Sequence, residues 1–112
     1  MYVLVRTDLP VPQIAVQSVH AAIEATRNFL LADSEHPHLV LCGVPSAQRL
    51  LDAADYLFLR GVRHTLFREP DRNNEPTALA TEPLCGERRA VLDRFRCLTS
   101  NDFLSRIAPV TT

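Results

Sequence analysis

The sequence predicts a single α/β domain: a mixed, mostly parallel four-stranded sheet with helices on both faces, in the order β-α-β-α-β-β-α. Short runs of strand-forming apolar residues alternate with longer stretches whose apolar residues recur every three or four positions. Two strand–helix–strand units follow one another, and such units imply parallel pairing through right-handed crossovers. The length of 112 residues fits one domain with its own core, and 46% hydrophobic against 22% charged residues is an ordinary globular balance. With no Trp, five Phe and two Tyr, that core has to be aliphatic.

Tyr2 to Arg6 reads as a buried first strand. Asp8-Leu9-Pro10-Val11-Pro12 is a turn, and Pro12 suits a first helical position, where a missing N–H costs nothing. From Gln13 to Leu31 no Gly or Pro intervenes, and Ala15, Val19, Ala22, Thr26 and Phe29 form the expected core stripe of the first helix. A polar loop, Ala32 to Pro37, ends it. His38 to Val44 is the second strand. Ser46 stands where a helix N-cap belongs, Leu50, Leu51, Ala54, Leu57 and Phe58 give the second helix its buried side, and Gly61 is its stop. Arg63 to Phe67 is a short third strand and Thr77 to Thr81 a fourth, which can lie antiparallel as an edge. Glu87 to Phe95 reads as a short third helix. The domain runs over residues 1–98, followed by a tail, 99–112.

Several function classes lose support at this level. No apolar run approaches the roughly 20 residues a membrane helix requires, and the N-terminus does not read as a secretory signal. Cys42, Cys85 and Cys97 are an odd number at wide spacings, which matches neither a disulfide framework nor a zinc knuckle and points to reduced thiols in a cytoplasmic protein. His36-Pro37-His38 lacks a third ligand nearby, so no metal and no cofactor is expected. A net charge of −1 gives no global field for nucleic acid.

Two polar groups remain. Gln13, Gln17, His20 and Glu24 share one stripe of the first helix, beyond the carboxyl end of the first strand, where clefts of open α/β sheets form. A solvated helix face is the plainer explanation of such a stripe. Arg6 and Asp8 point toward the same region. The second group is Arg68-Glu69-Pro70-Asp71-Arg72-Asn73-Asn74-Glu75, after the third strand, where a polar turn is the plainer explanation. Together they supply an imidazole, carboxylates, arginines and amides. That inventory suits ester hydrolysis by an activated water or binding of a nucleotide end, without choosing between them.

These residues resemble a known family. Val3-Leu4-Val5-Arg6-Thr7-Asp8-Leu9 followed by Ile14-Ala15-Val16-Gln17-Ser18-Val19-His20-Ala21-Ala22 is similar to the opening of the type 2 peptidyl-tRNA hydrolases, in which a strand ending Arg-x-Asp-Leu precedes a helix carrying Ala-x-Gln-x-x-His-Ala. Val40 to Pro45, Leu66-Phe67-Arg68-Glu69 and Thr77-Ala78-Leu79-Ala80 resemble its later strands, so the likeness covers roughly residues 2 to 98. The resemblance implies metal-free hydrolysis of the ester joining a peptide to the tRNA 3′ end. By position it makes His20 the motif histidine and Gln17 the motif glutamine. Glu69, or Asp71 in a shifted loop, becomes the acidic partner, and Thr77 the threonine of the last strand. The family's loop before the first helix carries a lysine, and here Gln13 stands near that position.

The expected catalytic set is therefore His20 with Glu69 or Asp71, Gln17 and Asp8. The expected substrate-binding set is Arg6, Gln13, Arg68, Arg72 and Thr77, with tRNA as partner. An imidazole's ordinary pKa of about 6.5 suits general-base work near neutrality. A non-catalytic module of the same fold, binding protein or RNA, is the alternative, and a hydrolase of small acyl esters is a third reading. A homodimer is plausible for a small α/β domain.

Overall fold

Tyr2–Arg6 (β1) is buried at every position, as expected of a strand covered on both faces. Around it the computed structural model, which describes residues 1–104, builds one α/β domain on a five-stranded sheet. The helix Val11–Phe29 (α1) follows, with Pro12 in its first turn. The strand Val40–Val44 (β2) then pairs parallel to β1. The helix Ala47–Leu59 (α2) is opened by Ser46, whose Oγ accepts a hydrogen bond from the Arg49 amide at 3.2 Å. Just past its end Gly61 takes φ +72°, a left-handed conformation that favours glycine. The strands His64–Glu69 (β3) and Glu75–Thr81 (β4) form a hairpin, and Arg96–Cys97 (β5) adds a short edge.

The sheet order is β3-β4-β1-β2-β5, and this corrects the expected mostly parallel four-stranded sheet. Only β1–β2 is a parallel pair; β1–β4, β3–β4 and β2–β5 are antiparallel. The reason lies in the link between β3 and β4. A 3₁₀ turn, Pro70–Arg72, followed by Asn73 and Asn74 at φ 55° and 59°, reverses the chain too tightly for a crossover. β4 therefore inserts between β3 and β1. β3 still runs in the same direction as β1, so both strands end on the same side of the sheet.

Two further expectations change. Glu87 to Phe95 is not an α-helix: Gly86–Leu92 winds as 3₁₀, begun by Gly86 at φ +61° and anchored by buried Leu92. So short a segment gains little from helix propagation, and packing decides its form. The apolar stripe of α1 is also rotated from the expected one. Ile14, Gln17, Ala21 and Ala25 are buried, whereas Val16, Val19 and Ile23 are about half exposed. The helix carries apolar residues on two sides, and only contact with the sheet chooses between them. Of the tail expected over 99–112, Asn101–Leu104 forms one helical turn (α3), and residues 105–112 lie outside the described residues.

The core is aliphatic and has two halves, one on each face of the sheet. Val3, Val5, Ala78 and Ala80 pack with Ile14, Ala21 and Ala25 of α1. Tyr2, Leu4, Cys42, Val44 and Leu79 pack with Leu50, Ala53 and Leu57 of α2. Among the described residues no helix is long and apolar enough to cross a membrane.

Candidate functional site

The stripe Gln13–Gln17–His20 faces the sheet rather than solvent. Gln17, 1% exposed, accepts a hydrogen bond at Oε1 from the Thr77 hydroxyl at 2.6 Å and donates through Nε2 to Gln13 Oε1 at 3.2 Å. One turn on, half-buried His20 lies flat against Phe67 of β3, ring centroids 4.6 Å apart and planes 5° from parallel. This fixes the imidazole plane, and no hydrogen bond among the described residues occupies its nitrogens.

A flaw in the sheet makes the Thr77 contact possible. Phe67 pairs with Ala78 and Arg68 with Pro76, so Thr77 has no opposite residue in β3 and forms a β-bulge. In strict alternation Thr77 would share the face of Leu79, which packs toward α2. The bulge turns its hydroxyl toward α1 instead. Pro76, which lacks an N–H, sits beside the bulge, where ladder bonding is already interrupted.

A second cluster is centred on Arg6, 6% exposed. Its Nε and Nη2 donate to the two carboxylate oxygens of Asp8, both at 2.9 Å. Its Nη1 donates to the Pro76 carbonyl at 3.2 Å and lies 3.7 Å from Glu75 Oε2. Glu75 in turn accepts from Arg72 Nε at 3.1 Å. The Arg6 hydrogen bond holds the Asp8 carboxyl below its ordinary value of 3.8, with burial opposing, and the same bond raises Arg6. Because Pro76 and Thr77 are adjacent, the two clusters share the end of β4 that lies beside the carboxyl end of β1.

The expected acidic partners are placed differently. Glu69 is the half-buried last residue of β3, two positions beyond the Phe67 that carries His20, and faces Glu75 across the hairpin. Asp71 is exposed in the 3₁₀ turn, and exposed Arg68 donates to the Asn74 carbonyl at 3.3 Å. Neither Glu69 nor Asp71 makes an ion pair or hydrogen bond with His20 among the described residues. The structure thus brings His20, Gln17, Gln13 and Thr77 into one group and Arg6, Asp8 and Arg72 into another. The sequence assigned no role to Phe67 or, within the second polar group, to Glu75. Phe67 is marked only by its place in a strand, and Glu75 by its spacing of three from Arg72.

Also unmarked in the sequence is a cleft of about 350 Å³ at the end of β2 and the start of α2, lined by Arg49, Arg94 and Arg96 together with Tyr56 and Asp52. Arg94 lies over the Tyr56 ring, 4.2 Å from its centroid, and Arg96 pairs with Asp102. Lining positions from residues 43–56 and 94–96 meet only in the fold, so neither segment reads as basic alone. Among the described residues no group of His, Cys, Asp and Glu converges to hold a metal ion. No family model matches the chain, and no curated protein matches its sequence.

The electrostatics predict acid sensitivity. Burial, the largest influence on Glu82, pushes its carboxyl up. Hydrogen bonds from the Arg63 amide at 2.8 Å and the Arg88 and Arg63 side chains outweigh it, leaving Glu82 below its ordinary 4.5. A carboxylate depressed in the folded state adds stability above its unfolded pKa and loses it as pH falls through the folded value. Thermal midpoints are therefore expected to be flat down to just above pH 4.5 and to fall below it as Glu82 and Asp8 protonate. The fall should be on the order of 5 °C for each kcal/mol lost. A midpoint unchanged down to about pH 3 would remove both carboxylates from the stability argument.

Proposed function

We propose that this protein hydrolyses the ester between a peptide and the 3′ end of tRNA. The observation that carries the reading is the buried Gln17–Thr77 hydrogen bond at the base of the His20 helix, formed through the β-bulge at Thr77. Bulges recur beside functional sites because they re-aim side chains, and this one joins two residues singled out by the family resemblance. In the proposed step an unoccupied His20 nitrogen takes a proton from water, whose oxygen attacks the ester carbonyl. The proton then passes to the departing 3′ oxygen. Glu69, one strand alternation beyond the stacked Phe67, is the carboxylate best placed to approach that imidazole when substrate fills the space, with Asp71 behind it. Arg72, Arg68 and the arginines of the cleft between β2 and α2 are the proposed phosphate contacts. This reading puts the protein in the cytoplasm, with charged tRNA. A homodimer would use the exposed Val16, Val19 and Ile23 of α1.

A second reading is favoured by charge. Gln13 is neutral, and the Arg6 charge is matched by Asp8 and Glu75, so among the described residues no free cation stands in the His20 group to stabilise an oxyanion. In that case the fold is a binding module.

The deciding experiment is release of peptide from N-blocked aminoacyl-tRNA by the native chain. Turnover above a buffer blank that weakens as salt rises supports the proposal, because phosphate contacts release counterions. Ester cleavage insensitive to salt would indicate a small acyl ester instead, and none at all a binding module. Gln13→Lys is expected to raise activity or tRNA affinity about tenfold by placing a cation at the start of the His20 helix. No change in either would point the His20 group toward a protein partner.

A further inference from the structure

We propose that Cys42 and Cys97 form a reversible disulfide when the protein meets a hydroperoxide. This inference does not depend on the hydrolase reading. The two residues are directly opposed across the antiparallel β2–β5 pair. Their pairing type follows from the backbone. The Leu98 amide donates to the Leu41 carbonyl at 2.9 Å, so Leu41 turns its backbone polar groups toward β5. The Val40 amide and the Val44 carbonyl, by contrast, bond to Met1 and Thr7 on the β1 side. Backbone groups alternate along a strand, which places Cys42 with Val40 and Val44. Cys42 and Cys97 are therefore a non-hydrogen-bonded pair, the closer of the two kinds, with Cα atoms roughly 4.5 Å apart and side chains on one face. Disulfides span Cα separations of roughly 4.4–6.8 Å, so the bond forms without strand movement.

The two thiols differ in the way a two-step oxidation requires. Cys97 is exposed and open to the oxidant, whereas Cys42 is fully buried. Burial and the neighbouring Cys97 push the Cys42 thiol up to about 12, which keeps it from reacting first. The Cys97 thiolate attacks one peroxide oxygen, the O–O bond breaks, and the departing oxygen takes a proton to leave as water or an alcohol. Cys97 is left as a sulfenic acid. Cys42 then attacks the Cys97 sulfur, the S–S bond forms, and the sulfenic hydroxyl leaves as water with the Cys42 proton. Two electrons pass from the sulfurs to the peroxide, and a thiol reductant reverses the change.

The bond would lock a weakly held edge. β5 has two residues, and its neighbour Leu98 packs so closely over the strand that a Cβ at Gly43 would lie 2.7 Å from Leu98 Cδ2. Arg96, beside Cys97, lines the arginine cleft. Oxidation thus fixes one wall of that cleft.

The test treats the reduced full chain with stoichiometric hydrogen peroxide, blocks remaining thiols with N-ethylmaleimide under denaturing conditions, and maps peptides by mass. The expected result is a fall from three free thiols to one, Cys85, with the Cys42 and Cys97 peptides joined and lighter by two hydrogens. Dithiothreitol should restore all three. In Cys97→Ser, Cys42 should remain free after the same treatment. Three blocked thiols in the oxidised native chain would overturn the proposal. So would Cys97 as a sulfinic acid beside a blocked Cys42, a bond involving Cys85, or loss of free Cys42 in Cys97→Ser.

Discussion

His20→Ala is expected to lower peptide release from N-blocked aminoacyl-tRNA by at least about a hundredfold, the smallest usual contribution of a positioned general base. The imidazole is half-buried and lies on Phe67 with ring centroids 4.6 Å apart, so its loss also removes an aromatic contact worth about 1 kcal/mol. A fall in rate with the alanine variant therefore mixes lost chemistry with lost packing. His20→Phe separates them: a phenyl ring preserves the stack and offers no nitrogen. Its urea midpoint is expected to stay near that of the native chain while turnover disappears. Turnover in His20→Phe within about threefold of native would show that the imidazole accepts no proton in the rate-limiting step. Gln17→Leu is a useful companion. It leaves the buried Thr77 hydroxyl without its acceptor, at a cost of about 1–3 kcal/mol, and tests whether the helix must be held in register for His20 to act.

The parts of this fold legible in the sequence are those decided by neighbours along the chain. β1 and β2 were recognisable because a strand covered on both faces needs nearly continuous apolar residues. The limits of α2 were recognisable because Ser46 and Gly61 do their work locally, the first through its own hydroxyl and the second through its left-handed backbone. The parts that were not legible are decided by contacts between distant segments. Val16, Val19 and Ile23 compete on pattern with Ile14, Ala21 and Ala25, and only docking on Val3, Val5 and Ala80 selects the second set. β5 has no strand-like composition; Arg96 and Cys97 become a strand because β2 offers them an edge. At the candidate site, spacing placed Gln13, Gln17 and His20 on one stripe, but not that the stripe faces inward. Thr77 is the sharpest case, since alternation sends its side chain away from α1 and the bulge brings it back. Glu75 was named in the second polar group without a role, because its place as the acceptor between Arg6 and Arg72 exists only once β4 lies beside β1.

That shared carboxylate leads to the largest stability effect expected outside the apolar core. Arg6→Leu should cost about 3 kcal/mol in urea denaturation, because removing the buried member of this charged network leaves Asp8 and the Pro76 carbonyl without their partner. Arg6 is 6% exposed, and its guanidinium meets both oxygens of Asp8 and the Pro76 carbonyl and lies 3.7 Å from Glu75. The two carboxylates keep access to water, with side chains 41% and 44% exposed, so the loss belongs at the lower end of the range for buried pairs. The same reasoning makes Asp8→Asn much milder, about 1 kcal/mol, since Arg6 retains Pro76 and Glu75. In the double variant Arg6→Leu/Asp8→Leu the unpaired carboxylate is gone, and the combined cost should fall below the sum of the single changes. Acid titration gives an independent readout. Asp8 is held low chiefly by the Arg6 hydrogen bond, so Arg6→Leu should remove the part of the acid-induced loss that belongs to Asp8 and leave the Glu82 part in place. If Arg6→Leu costs less than about 1 kcal/mol and the acid limb keeps its native shape, the arginine is not holding the end of β1 to β4. The join between the two polar clusters would then have to rest on the Gln17–Thr77 bond alone.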